Sequence, residues 1–167
     1  GGTSAFPLLE KYDNLLIVQT FSKSRALAGL RIGYAFGSEQ LIWYLNAVKN
    51  SFNSYTMNRL VQVLGAASVR DKEYFERTNA LIIATRERMK RELKKMGFLL
   101  WDSKSNFLFV THPLVKAQKL YEDLRSVGIY VRYFSKPERI SDYLRIAIGT
   151  DQETDYLIMQ LKKILKQ

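Results

Sequence analysis

Lys23 lies in the run Thr20-Phe21-Ser22-Lys23-Ser24-Arg25-Ala26-Leu27-Ala28-Gly29-Leu30-Arg31-Ile32-Gly33-Tyr34, just after the apolar stretch Leu15–Val18. A lysine held among small hydroxyl residues at the end of an apolar strand can be partly desolvated, which lowers its pKa and frees its amine. A free amine of this kind condenses with a carbonyl to form a Schiff base. Ser22 and Ser24 can donate to an anion, and Arg31 can clamp a phosphate through two parallel hydrogen bonds. Gly29 and Gly33 would let the backbone come close to a neighbour. By residue type alone, the same segment also suits a solvated loop.

The elements around it follow from periodicity. Leu15–Thr20 is a short branched apolar run that reads as a buried strand, and Arg31–Phe36 as a second one, so the polar chemistry falls in their connection. Ser38 suits the N-cap of a helix running to about Val48, with the polar loop Asn50–Thr56 after it. Asn58 can cap a helix carrying Leu60, Val61, Leu64 and Ala67, and Asp71 opens a long helix that ends at Gly97. Beyond it, Phe98–Trp101 and Phe107–Val110 read as strands. Pro113 stands near the start of a helix closed by Gly128. Ile129–Tyr133 and Tyr143–Ile148 are two further strands, and Thr150 caps a last amphipathic helix. This ββαββα order makes a compact two-layer α/β unit. The expected division is therefore residues 1–96 and residues 97–167, with no internal repeat. The first part has few strands and an apolar β-run that wants neighbours on both sides, as though it were the later part of a longer protein.

Composition narrows the chemistry. The chain has 167 residues, 47% of them hydrophobic and 25% charged, as in ordinary globular proteins. With no cysteine there is no disulfide scaffold, thiolate zinc site or cysteine nucleophile, and a reducing compartment fits. His112 is the single histidine, which argues against a histidine-built metal site and a Ser-His-Asp hydrolase, and it suits a packing role, as do Trp43, Tyr44 and Trp101. No apolar run approaches the ~18 residues of a membrane span.

The net charge of +10 raises the possibility of a polyanion partner. Much of the excess sits in Arg86–Lys95, and Leu81, Ile82, Met89, Leu93 and Met96 fall at helical spacing along the same helix. The basic residues are therefore expected on the solvated face, with Glu87 and Arg91 paired four residues apart. No zinc-finger spacing or RNA-recognition signature accompanies them.

The motif Ser22-Lys23-x₄-Ala28-Gly29-Leu30-Arg31-x-Gly33-Tyr34 closely resembles the lysine motif of fold-type I aminotransferases, most of all the histidinol-phosphate aminotransferase group. The similarity continues through Asn106-Phe107-Leu108-Phe109-Val110, Gly128-Ile129-Tyr130-Val131-Arg132 and Leu144-Arg145-Ile146-Ala147-Ile148-Gly149-Thr150. The resemblance implies a remnant of the large cofactor-binding domain followed by the small C-terminal domain. It implies pyridoxal 5'-phosphate as cofactor, with Lys23 as the cofactor lysine and Ser22, Arg31 and, more weakly, Thr20 as phosphate contacts. Arg145 would bind the anionic end of the substrate, and Arg132 the phosphate of histidinol phosphate. The implied substrates are histidinol phosphate with 2-oxoglutarate, and imidazole-acetol phosphate with glutamate, in a cytoplasmic homodimer of histidine biosynthesis with no nucleic-acid or membrane partner. Aromatic aminotransferases and threonine-phosphate decarboxylase share the lysine motif and remain as alternatives. In this family the carboxylate facing the pyridinium nitrogen and the aromatic stacked on the ring precede the lysine. The 167 residues alone are therefore expected to be inactive.

Overall fold

A computed structural model describes residues Gly2–Lys166. The chain divides into two compact units, Gly1–Asn79 and Ala80–Gln167, with the division inside the long helix. Among the described residues, no helix is long and apolar enough to cross a membrane.

In the first unit, β1 (Ile17–Thr20) and β2 (Gly33–Phe36) form a two-stranded antiparallel ribbon with Thr20 opposite Gly33. Two helices follow, α1 (Glu39–Phe52) and α2 (Arg59–Arg70), and then the start of α3 (Lys72–Lys95). The first strand was expected to be buried. It is not: among the described residues it pairs with β2 alone, and Val18 remains 69% exposed. Among the described residues of this unit the buried hydrophobic side chains are Phe21 and Ile32, just past the last ribbon pair. There α2 comes close at Gly65, where a Cβ would sit 2.8 Å from the Ile32 side chain. Along β2 an edge-to-face chain of rings, Phe21–Tyr34–Phe36–Phe6, holds the strand.

The local start and stop signals mostly act as expected. Asn58 Oδ1 accepts from Val61 N at 2.9 Å, and Asp71 Oδ1 from Tyr74 N at 3.0 Å. Ser38 does precede α1, but its hydroxyl donates to the Asp13 carbonyl, because that acceptor lies within 2.9 Å. The helix also runs past Val48 to Phe52, absorbing part of the expected loop.

The second unit is a four-stranded antiparallel sheet, in the order β3 (Leu99–Leu100), β4 (Phe107–Thr111), β6 (Leu144–Ala147) and β5 (Arg132–Tyr133). Two helices, α4 (Ala117–Ser126) and α5 (Asp151–Ile164), complete the expected ββαββα order. Pro113 falls short of α4, whose N-cap is Lys116. Strict alternation sends Leu108, Val110, Leu144 and Ile146 into the core, against Met89, Leu93, Leu120, Leu124 and Leu161. Full burial of such side chains contributes roughly 1.5–3 kcal/mol each. β5 is shorter than expected, since only Arg132 and Tyr133 pair with β6.

Glycine ends two helices as the sequence suggests: Gly97 and Gly128 take φ of +84° and +81°. At Gly97, Phe98 N donates back to Leu93 O. Nearby, His112 Nδ1 accepts from Leu114 N, so its Nε2–H donates to Met96 O at 3.1 Å. With Phe98 edge-on at 5.0 Å, this is the packing role expected of His112.

The basic stripe on α3 is corrected at two positions, while Arg91, Lys94 and Lys95 are exposed as expected. Arg86 and Lys90 are buried, at 3% and 9% exposure, rather than solvated. Arg86 bonds Glu87 and the Ser105 carbonyl, and Lys90 bonds Glu87 and Asp102. Glu87 is thus engaged by Arg86 and Lys90 and not by Arg91, because the loop carrying Asp102 and Ser105 covers that side of the helix. A charge buried there needs its partner.

Candidate functional site

The lysine segment is a loop closed by the β1–β2 ribbon. Phe21 N donates to Ile32 O at 3.0 Å, extending the ladder one rung past Thr20–Gly33. By that register, Ser22 and Arg31 leave the ribbon as neighbours. Thr20 Oγ1 donates to Ser22 Oγ at 2.9 Å and accepts from Ser22 N at 3.1 Å, so the two hydroxyls are fixed together. Gly33 is needed here, since a Cβ would stand 3.1 Å from Gln19 O. Gly29 is different: nothing lies within 4 Å of its Cβ position, so no close approach is made there.

Within the loop, Ala26 N donates to Lys23 O and Leu27 N to Phe21 O, both at 3.0 Å. Ala26 and Arg31 adopt left-handed φ of 54° and 55°, conformations that side-chain-bearing residues take only when their surroundings hold them. At Arg31 the surroundings are a short 3-10 turn, Ala28–Leu30, whose Ala28 carbonyl accepts from the Arg31 guanidinium at 3.0 Å. Lys23 is exposed rather than partly desolvated.

Chemically, the segment gathers two hydroxyls, one guanidinium and one primary amine at the end of a ribbon. That donor set suits a phosphate-bearing aldehyde, with the oxygens and guanidinium for the anion and the amine for the carbonyl. The residues present therefore fit pyridoxal phosphate.

The second unit carries the other two expected residues. Arg132 and Arg145 are paired across β5 and β6, and both are exposed on the sheet face opposite the helices. Among the described residues neither has a carboxylate partner. Instead, the Arg145 guanidinium lies 5.3 Å from the Phe107 ring centre and that of Arg132 lies 5.4 Å from Phe134. Phe109 lies 6.0 Å from Phe134 and is stacked on Tyr143 at 4.6 Å. A ring face attracts a cation without taking up its N–H donors, so among the described residues both guanidiniums keep N–H groups for an anion.

The aromatic floor beneath the arginines was not foreseen. Alternation places Phe107 and Phe109 on one face of β4, but only the β4–β6 register, Phe109 opposite Arg145, shows that they share the arginine's face. Arg25 was likewise read only as one more polar residue of the loop. It is half-buried, with its guanidinium donating to Ser68 O.

A model of the family described as aminotransferase class I and II matches residues 1–161. A histidinol-phosphate aminotransferase of Lactococcus lactis subsp. cremoris is 54% identical over 166 residues, 99% of this chain and 46% of that protein. The histidinol-phosphate aminotransferase of Clostridium acetobutylicum has the same fold, with a TM-score of 0.88 at 23% identity over 98% of this chain and 49% of its own. That of Sinorhizobium meliloti, solved in complex with pyridoxal-5'-phosphate, gives 0.80 at 26% identity, over 92% of this chain and 42% of its own. The chain spans about half the length of the curated relatives it matches.

Proposed function

This chain belongs to the aminotransferase class I and II family, and on that premise we propose that it serves in a pyridoxal-phosphate enzyme that exchanges an amino group between histidinol phosphate and 2-oxoglutarate. The arginine pair lends this reading its strongest support. Like charges directly opposite across strands are destabilising, and the cross-strand pair Arg132–Arg145 has no acid beside it among the described residues. Such a pair suits ligands that bring the anion themselves. Histidinol phosphate brings a phosphate, and glutamate brings carboxylates in its turn.

Roles follow from the chemistry of each group. Ser22 and Arg31, with Thr20 behind Ser22, hold the cofactor phosphate by charge-assisted hydrogen bonds. When bound, pyridoxal phosphate supplies an aldehyde for an amine and an electron-withdrawing ring for the electron pair left at the substrate carbon. Lys23 would hold the cofactor through its aldehyde, and its amine would move a proton at the substrate carbon. This general acid–base work needs its amine neutral in part of the cycle. Arg145 and Arg132 orient the substrate by its anions. In this reading the whole enzyme is a homodimer.

The test is the reaction itself. The 167-residue chain is expected to show no transfer from glutamate to imidazole-acetol phosphate, and a chain extended upstream by the preceding half of such an enzyme is expected to show it. An extended, folded chain that binds pyridoxal phosphate but transfers no amino group to imidazole-acetol phosphate would refute the assignment of substrate. One that did not bind the cofactor would refute the whole reading.

A further inference from the structure

We infer that Arg25 is a positioning residue for Lys23, clamping the turn that carries it against the end of α2 and the start of α3; the inference rests on the reading of Lys23 as the cofactor lysine. Its guanidinium lies over two rings, 5.4 Å from the centre of Phe21 and 4.3 Å from that of Phe75. Its Nη1 donates to the Ser68 carbonyl at 2.5 Å. Ser68 is in the last turn of α2, where carbonyls lack intrahelical donors and the helix dipole is negative, so a cation is doubly suited there.

The turn needs such an anchor. Lys23 and Ser24 face outward, exposed, while Arg25 is half-buried. The next residue, Ala26, is held at a φ of +54°, which an alanine adopts only when its neighbourhood dictates it. The turn's two internal hydrogen bonds, from Ala26 N and Leu27 N, close it but do not orient it on the rest of the unit. Asn79 Nδ2 reaches the Ser24 carbonyl only at 3.5 Å. Arg25 thus makes the firmest side-chain attachment from the turn to the helices. A planar guanidinium can stack on both rings while donating in its plane, which a lysine ammonium cannot do as well.

The chain is incubated with pyridoxal phosphate, reduced with borohydride and mapped by peptide, and melting temperature is measured in parallel. The unsubstituted chain is expected to label Lys23 in preference to the exposed Lys49 of α1. In Arg25→Ala the Lys23 share is expected to fall to that of Lys49, and Arg25→Lys to restore part of it. Phe75→Leu, which removes one ring and leaves the hydrogen bond, is expected to give an intermediate loss, and it decides the matter if Arg25→Ala does not fold. Undiminished preference for Lys23 in folded Arg25→Ala, or in Phe75→Leu where the first does not fold, would overturn the role of Arg25 and leave Lys23 as read. No preference for Lys23 in the unsubstituted chain would overturn both.

Discussion

Arg132 on β5 stands directly opposite Arg145 on β6, each guanidinium over a phenylalanine ring and each without an acidic partner among the described residues. Within the folded chain this pair is a mild liability, so Arg132→Gln is expected to leave the melting temperature unchanged or slightly raised. In the whole enzyme, Arg145→Ala is expected to raise KM for glutamate about tenfold or more, the loss of a charge-assisted contact worth about 1.5–3 kcal/mol to the bound ligand. A marked fall in melting temperature with unchanged kinetics would instead make the arginines structural.

The buried end of α3 sets a pH dependence. Hydrogen bonds from Lys90 and then Lys104 hold the Asp102 carboxyl down at about 2, and Glu87 is lowered, chiefly by Lys90. A carboxyl depressed on folding contributes stability above its unfolded pKa, near 3.9, and loses it as pH falls through the folded value. Lys90 is raised, first by Asp102, so its share is present at neutral pH and lost only in strong alkali. Urea midpoints of the chain and of Asp102→Asn should therefore differ by a constant amount near neutrality and converge between about pH 4 and pH 2. A gap that stayed constant over that acid range would show that Asp102 does not couple to Lys90.

The start of α5 is closed by a reciprocal cap: Thr150 Oγ1 accepts from Glu153 N at 3.2 Å, and Glu153 Oε2 accepts from Thr150 N at 2.7 Å. Thr150→Ala should cost about 1 kcal/mol, and Thr150→Ser should recover most of it, read by urea unfolding of the second unit.

The first unit leaves large apolar side chains in solvent, among them Trp43 at 65% exposure, Phe52 at 92% and Tyr55 at 94%. Its β1–β2 ribbon also has two unpaired outer edges among the described residues. Such surfaces and edges pair with other chains. Sedimentation at micromolar concentration should show self-association of the 167-residue chain, and a clean monomer would contradict it.

What the sequence determined by itself was set by neighbours a few residues apart. The caps at Asn58, Asp71 and Thr150 and the stops at Gly97 and Gly128 are legible because a side chain and the amide it satisfies lie within one turn, and because glycine alone takes a left-handed φ freely. The inward alternation of β4 and β6 is legible for the same reason, since the pleat repeats every two residues. The lysine motif pointed to its chemistry through its resemblance to the aminotransferase motif, since by residue type alone the segment also suits a solvated loop. Only the tertiary structure decided what depends on distant partners. The Ser38 hydroxyl goes to Asp13, Arg86 and Lys90 are covered by a loop from beyond Gly97, and the first strand stays open because it has one neighbour. The register that sets Arg132 against Arg145, and the rings that hold Arg25, join residues far apart in sequence. Their contact energies exist only after the chain has closed those loops, so no local pattern records them.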